Sequence, residues 1–398
     1  MSQPASLTII NGRVFDGASA ELRRASVRLT GDEITTVGDE NAVNGDAVLD
    51  ARGGTLVPGF IDAHFHAYAV ALDPLTIEAS PLSYVALSGA RRLEAALRRG
   101  FTTVRDVAGG DPGLARAIDS GVIPAPRYLY TGAALSQTGG HGDGRSPGIE
   151  LCACGAHMNE VVDGVDAVRR AARERFRHGA HAIKLMTSGG VVSPSDPIRN
   201  PQYSAEEIAA VADEAARRGS YVAAYAYSPE AIAHSVANGV RSIEHGNLLD
   251  PRTAELMAER GAYLVPTLAA YDALDLRGAE LGLPPVSQAK NLEVLHAGRE
   301  AIGIARAAGV PVGWGSDLMG ALEDHQLQGL RLQAEVDGPL ETLRSVTSVN
   351  AALLGRDDLG RIAPGARADI VILPGDPLVD PALLWGDERI VIHQGRVV

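Results

Sequence analysis

Between Ser204 and Val265 the chain runs three times through one unit, a capped helix followed by a short apolar strand. Ser204-Ala-Glu-Glu207 is a capping box that opens an Ala-rich helix, and Arg217-Arg218-Gly219 closes it. The strand Tyr221-Val-Ala-Ala-Tyr225 follows. Ser228-Pro229 starts the next helix, with Pro at its favoured first position, and Asn238-Gly239 ends it before the strand Arg241-Ser-Ile-Glu-His245. The third round runs from Asp250-Pro251 to Gly261 and into the strand Ala262-Tyr-Leu-Val265. Strands joined through helices lie parallel, because a hairpin cannot connect them. Units of about 20–40 residues over roughly 300 residues suit a (β/α)₈ barrel, whose chemistry sits where the strands end. A doubly wound open sheet shares the alternation, but no G-x-G-x-x-G follows a strand here.

Both ends of the chain read differently. Leu7-Thr-Ile-Ile10, Asn11-Gly12 and Arg13-Val-Phe predict a hairpin, and Asn-Gly is the strongest short signal for one. Ala368-Asp-Ile-Val-Ile-Leu373, then Arg389-Ile-Val-Ile-His393 with a turn at Gln394-Gly395, predict strands at the other end. The expected organisation is one small β domain built from residues 1–57 and 360–398, split by a barrel over 58–359. The 45 glycines fit the many tight turns of such a fold.

With 36 Lys and Arg against 49 Asp and Glu the net charge is −13, which argues against nucleic acid and anionic membranes as partners. No run of about 18 apolar residues offers a membrane span. The start, Met1-Ser-Gln-Pro-Ala5, lacks the basic and apolar regions of a signal peptide, so a cytoplasmic location is expected. Cys152 and Cys154 are too few for a disulfide framework and too close for a good mutual bridge; they read as free thiols in a reducing compartment. Arg169, Arg170, Arg173, Arg175 and Arg177, mixed with Glu174 at helical spacing, read as a solvated helix face without a function.

The chemistry begins at Gly59-Phe-Ile-Asp-Ala-His64-Phe65-His66, an apolar strand ending in two histidines. Period-2 geometry points both imidazoles to one side, towards the centre of a barrel. Neutral imidazole is a common nitrogen ligand for zinc and its neighbours, although a lone His-x-His also fits a surface or core pair. Lys184 closes His181-Ala-Ile-Lys184 and precedes Leu-Met-Thr-Ser-Gly-Gly190. It could be a plain salt-bridge partner; an ammonium cannot bind a cation, whereas a carbamate formed with CO₂ could bridge two metals about 3.5–4 Å apart. That reaction needs the neutral amine, which burial beside cations favours. His245 ends a further strand, and Asp317 ends Pro311-Val-Gly-Trp-Gly-Ser-Asp317, where a carboxylate could bind metal and also move a proton.

This constellation resembles the amidohydrolase superfamily, metal-dependent hydrolases on a distorted (β/α)₈ barrel flanked by a small β-sandwich. The resemblance covers nearly the whole chain, through Val57-Pro-Gly-Phe-Ile-Asp-Ala-His-Phe-His66, Gly100-Phe-Thr-Thr-Val-Arg-Asp106, Ile243-Glu-His-Gly-Asn247 and Gly360-Arg-Ile-Ala-Pro-Gly-Ala-Arg-Ala-Asp369. Ser136-Gln-Thr-Gly-Gly-His141 with Lys184–Gly190 is similar to the branch of Xaa-Pro dipeptidases and ochratoxinase-type carboxypeptidases. The resemblance implies His64, His66, carboxylated Lys184, His245 and Asp317 as ligands of two divalent metals, with zinc the expected ion, although the donors suit Mn²⁺ and Co²⁺ as well. It implies His141 as the group that polarises the substrate carbonyl and Tyr227 as a holder of the substrate carboxylate; a loop hydrogen bond and core packing are their plainer readings. A homo-oligomer is also implied.

One position departs. The family pattern has a ligand histidine in a His-Ala-Tyr run at the end of the fifth strand, and this chain has Tyr225-Ala-Tyr227. A phenol with a pKa near ~10 is a poor neutral ligand. Tyr225 therefore reads as a substitution, of the kind that inactivates an enzyme, that weakens the second metal site and lowers turnover. The expected activity is hydrolysis of the amide of a dipeptide or N-acyl amino acid with a free carboxylate, ochratoxin A among them. In that mechanism a metal-bridging hydroxide attacks and Asp317 shuttles the proton. Hydrolysis of a cyclic amide or imidazolone, and ligand binding without catalysis, are the alternatives.

Overall fold

The computed structural model describes residues 6–38, 45–145, 158–193 and 196–398. Cys152 and Cys154, read above as free thiols, lie outside the described residues. Among the described residues no helix is long and apolar enough to cross a membrane.

Strands from both ends of the chain pair into one mixed eight-stranded sheet. Its centre is the antiparallel pairing of Thr55–Pro58 with Ile370–Leu373, which joins the two ends of the sequence. Ser6–Val14 lies alongside, pairing with Arg23–Thr30, Ala47–Asp50 and Thr55–Pro58. Ile9, Val27, Leu29, Ile34, Ile370 and Ile392 fill the core of this layer.

The expected hairpin at Asn11-Gly12 does not form. Ser6–Val14 is a single strand, and its register against Arg23–Thr30 shifts between Ile9 and Gly12. Asn11 takes φ 57°, and its side-chain amide donates to Asp50 Oδ1. A left-handed residue serves a bulge as well as a turn, so the dipeptide could not tell the two apart. Gln394-Gly395 does form the expected turn, between Ile390–His393 and Arg396–Val397.

The barrel strands run parallel. Phe60–Phe65, Phe101–Asp106 and Arg127–Tyr130 form one sheet. Ile183–Met186, Val222–Ala226, Ser242–His245 and Tyr263–Val265 form the continuous part of a second. His181 N–H donates to the Tyr130 carbonyl at 2.7 Å, which ties the two together on one side. On the other side the segment 310–317 meets Leu264 through Val312, and the Ala63 N–H donates to the Trp314 carbonyl at 3.1 Å. The circuit is a (β/α)₈ barrel. Its eighth segment makes only one bridge and is not a regular strand. Side chains at Gly313 and Gly315 would run into Asn350 and His64 at 2.4 Å, so the close backbone approach demands glycine.

The helices follow their caps. Ala205–Ala216 carries the full capping box of Ser204 and Glu207, Pro229–Ala237 is capped by Ser228, and Pro251–Glu259 by Asp250. Ile208, Val211, Ile232, Val236 and Met257 are fully buried against the strand residues Val222, Ile243 and Leu264. Each such side chain contributes about 1.5–3 kcal/mol of burial free energy. Four of the five arginines of Val165–Arg177 are partnered: Arg169 and Arg173 reach Glu214 of the neighbouring helix, Arg175 pairs with Glu160 and Arg177 with Glu174.

Candidate metal centre

His64, His245 and Asp317 bring donor atoms within 4.8 Å of one another at the ends of three barrel segments. His66, one pleat beyond His64, places Nε2 2.9 Å from Asp317 Oδ1, while His64 Nε2 is 3.4 Å from the same oxygen. His245 and Asp317 both sit at positive φ, 74° and 53°, where non-glycine residues are rare. Strain of this kind persists where the surroundings over-determine it, and it clusters at functional sites.

The outer nitrogen of each of these imidazoles has a partner. His64 Nδ1 lies 2.7 Å from Glu244 Oε2. A carboxylate only accepts, so Nδ1 carries the proton and Nε2 faces the centre with its lone pair. His245 Nδ1 lies 2.8 Å from both Thr267 Oγ1 and the Tyr271 hydroxyl. His66 Nδ1 faces the Ala108 carbonyl at 3.4 Å. Orientation of this kind from behind fixes ring position and tautomer in metal-binding histidines.

Two buried atoms fit the same purpose. Lys184 Nζ and His245 Nε2 have no hydrogen-bond partner among the described residues. An unpartnered buried ammonium is costly, and burial lowers the Lys184 amine to about 8, towards the neutral form that takes up CO₂. Burial also pushes the His245 imidazole well below its ordinary value, which keeps it neutral and able to ligate. For Asp317, burial acts upward, but the imidazoles around it, His64 first, hold the carboxyl well below the usual range. Neutral imidazoles, one carboxylate and a carboxylatable amine are a donor set for a divalent cation. Lys184 lies within the strand Ile183–Met186 rather than at its end as the sequence suggested.

Tyr225 turns its ring, not its oxygen, towards this centre. Lys184 Nζ lies 5.5 Å from the ring centroid, and the hydroxyl donates to Tyr227 at 3.3 Å. The ring stacks on His141 with centroids 4.3 Å apart. Tyr227 is buried, with its hydroxyl 2.7 Å from that of Tyr271. His141, Tyr225 and Tyr227 share the wall of one pocket with His64, His66, Lys184 and Asp317, and Ile77, Val191, Leu274 and Met319 make its apolar part.

Behind the site lies a charge pair that sequence reasoning missed. Arg105 and Glu244 are fully buried, with Nη2 donating to Oε1 at 2.7 Å. Arg105 Nε also donates to the Ala63 carbonyl, so it braces the strand that carries His64. The available signal was a charged residue inside each of two short barrel strands. Asp196, Lys290 and Tyr271 were missed as well, and no local pattern marks them.

A profile of the amidohydrolase family matches residues 55–398. The chain belongs to the amidohydrolase family. An ochratoxinase of Aspergillus niger is 33% identical over 405 aligned residues, covering 94% of this chain and 83% of the relative. Among solved structures, a prolidase complexed with N-methylphosphonate-L-proline superposes with a TM-score of 0.96 at 44% identity, covering 99% of both chains. A Xaa-Pro dipeptidase with methionine bound in its active site gives 0.87 at 28% identity, again over 99% of both chains. This amidohydrolase is a hydrolytic enzyme of the branch that Ser136–His141 and Lys184–Gly190 resemble.

Proposed function

We propose that this amidohydrolase cleaves the amide bond of a dipeptide or N-acyl amino acid with a free carboxylate, a class that includes ochratoxin A. The observation that carries the reading is the inward-facing donor set, each imidazole held from behind, at the base of a largely apolar pocket. Similarity to a prolidase and an ochratoxinase supports the substrate class. A divalent ion held by His64, His66, Lys184, His245 and Asp317, zinc being the expected one, would polarise the carbonyl and activate the attacking water. His141 donates to the carbonyl oxygen as charge builds there. Asp317, ionised at neutral pH, takes a proton at its carboxylate and passes it to the leaving amine. The apolar wall accepts an apolar side chain, and Tyr227 borders the place of the substrate carboxylate.

Tyr225 weakens the part of the centre that Lys184 and His245 would hold. The support is the placement of its ring, with the hydroxyl turned to Tyr227. It also favours a second reading, a member that binds ligand without turnover. The test is a screen of dipeptides, N-acyl amino acids and ochratoxin A with this chain and its Tyr225→His variant, beside metal content per chain. Hydrolysis by this chain, with more metal and a higher rate in the variant, is expected. Equal metal content and rate would sink the role of Tyr225, binding without turnover in both would establish the binder, and neither binding nor hydrolysis would refute the substrate class.

A further inference from the structure

Residues 188–193 leave the fourth barrel strand along the pocket wall, and residues 196–202 lead back to it. Ser188 bridges Pro201, the Gly189 N–H donates to the Asn200 carbonyl, and the Gln202 N–H donates to the Thr187 carbonyl. Lys290, on the long helix Pro285–Ala307, donates to three carbonyls of this loop: Gly190 at 3.0 Å, Ser193 at 2.7 Å and Asp196 at 2.6 Å. An ammonium has three protons, so all its donors are spent on the backbone of one loop.

The strapped loop delivers a buried carboxylate. The Asp196 side chain is 3% exposed, accepts from the Gly190 N–H at 3.1 Å, and places Oδ2 3.5 Å from His141 Nδ1. That is about half an ångström beyond a hydrogen bond, a gap of the kind that closes when substrate binds. His141 is fixed on its other sides too. Its backbone N–H donates to Gln202 Oε1 at 3.0 Å, and its ring stacks on Tyr225. Nδ1 is buried with no other partner among the described residues, so the Nε2 edge is the one left for the pocket.

We infer that Asp196, strapped in place by Lys290, is the positioning carboxylate of His141: it takes the Nδ1–H and aims the Nε2–H at the substrate carbonyl. This rests on the amide-hydrolase reading. Asp196 touches none of the residues of the metal centre, so its removal leaves metal content unchanged. No bond to the substrate forms or breaks at Asp196, and it keeps its charge throughout.

The test compares the metal-loaded full chain with Asp196→Asn and Lys290→Gln, on whichever amide the screen shows to be cleaved. For Asp196→Asn, kcat falls about a hundredfold with KM within about threefold. For Lys290→Gln, kcat falls about tenfold in the same pattern. A purely structural role would instead lower metal content or raise KM. A second readout needs no turnover. A downfield imidazole N–H proton signal, assigned by its loss in His141→Gln, should be present in the parent chain and absent in Asp196→Asn. A kcat within threefold of the parent, or a signal that survives Asp196→Asn, overturns the inference. A parent chain that cleaves no amide refutes the activity instead, and the proton signal alone then decides the Asp196–His141 pairing.

Discussion

Glu244→Gln tests how the centre is held. Glu244 accepts at Oε1 from Arg105 Nη2 at 2.7 Å and from the Ser242 hydroxyl at 2.5 Å, and at Oε2 from His64 Nδ1–H at 2.7 Å. Burial raises the carboxyl, but the charge of Arg105 and the hydrogen bond from His64 hold it well below the usual range, so it is an anion at all working pH values. Glutamine has one acceptor and one donor end. Arg105 has no lone pair to offer, so the amide oxygen must face it and the amide N–H₂ must face His64. His64 then accepts at Nδ1 and carries its proton on Nε2, the nitrogen that points at Asp317. A protonated Nε2 cannot ligate. Loss of an orienting partner behind a metal ligand lowers affinity about 10–100-fold, or about 1.4–2.8 kcal/mol. The fold suffers less than the about 3–5 kcal/mol expected when a buried ion loses its partner outright, because the hydrogen bond to Arg105 survives. The assay is competition for Zn²⁺ against a chromophoric chelator, with urea unfolding in excess chelator to read the metal-free fold. Zinc affinity within about threefold of the parent, in a variant whose metal-free fold is intact, would refute the tautomer argument.

Three further outcomes are expected. Burial, with Arg105 and Arg356, lowers His181 from 6.5 to about 4, so between these values the unfolded chain binds the extra proton and stability falls as pH falls. At about 1.4 kcal/mol per unit this one group accounts for up to about 3 kcal/mol, and urea unfolding at pH 7 and pH 4.5 should show a smaller drop for His181→Gln than for the parent. Gly190→Ala places a Cβ 2.3 Å from both His141 Cε1 and the Tyr225 hydroxyl; a loss of about 1–3 kcal/mol with reduced kcat is expected, measured by urea unfolding and steady-state kinetics. Ser204→Ala removes half of a capping box at a residue that does not line the pocket, so urea unfolding should show a loss of about 1 kcal/mol with kcat/KM unchanged.

What was legible in the sequence is what local chemistry encodes. Caps and terminal glycines marked the helices from Ser204 to Gly261, because the signals act within one turn of the residues they organise. The period of a strand marked His64 and His66 as neighbours, and it extends one step back to Asp62, which is buried and accepts from Ser316 and Gln326. The irregular eighth segment was not legible, because its shape is set by Asn350 and His64 pressing on two glycines. Nor were the partners behind the donors: Arg105 and Glu244 stand 139 residues apart, and Lys290 lies 94 beyond the Asp196 it straps. The division has a physical cause. A ligand needs only the right atom at a strand end, and a barrel brings all its strand ends together whatever the sequence between them. A partner that fixes the tautomer must match one particular ligand across the barrel, so its identity depends on which strand becomes whose neighbour. Glu244 illustrates the point: beside His245 in sequence, it serves His64 in space. A charged residue inside a buried barrel strand is therefore the trace such a partner leaves, and it says that a mate exists without saying where.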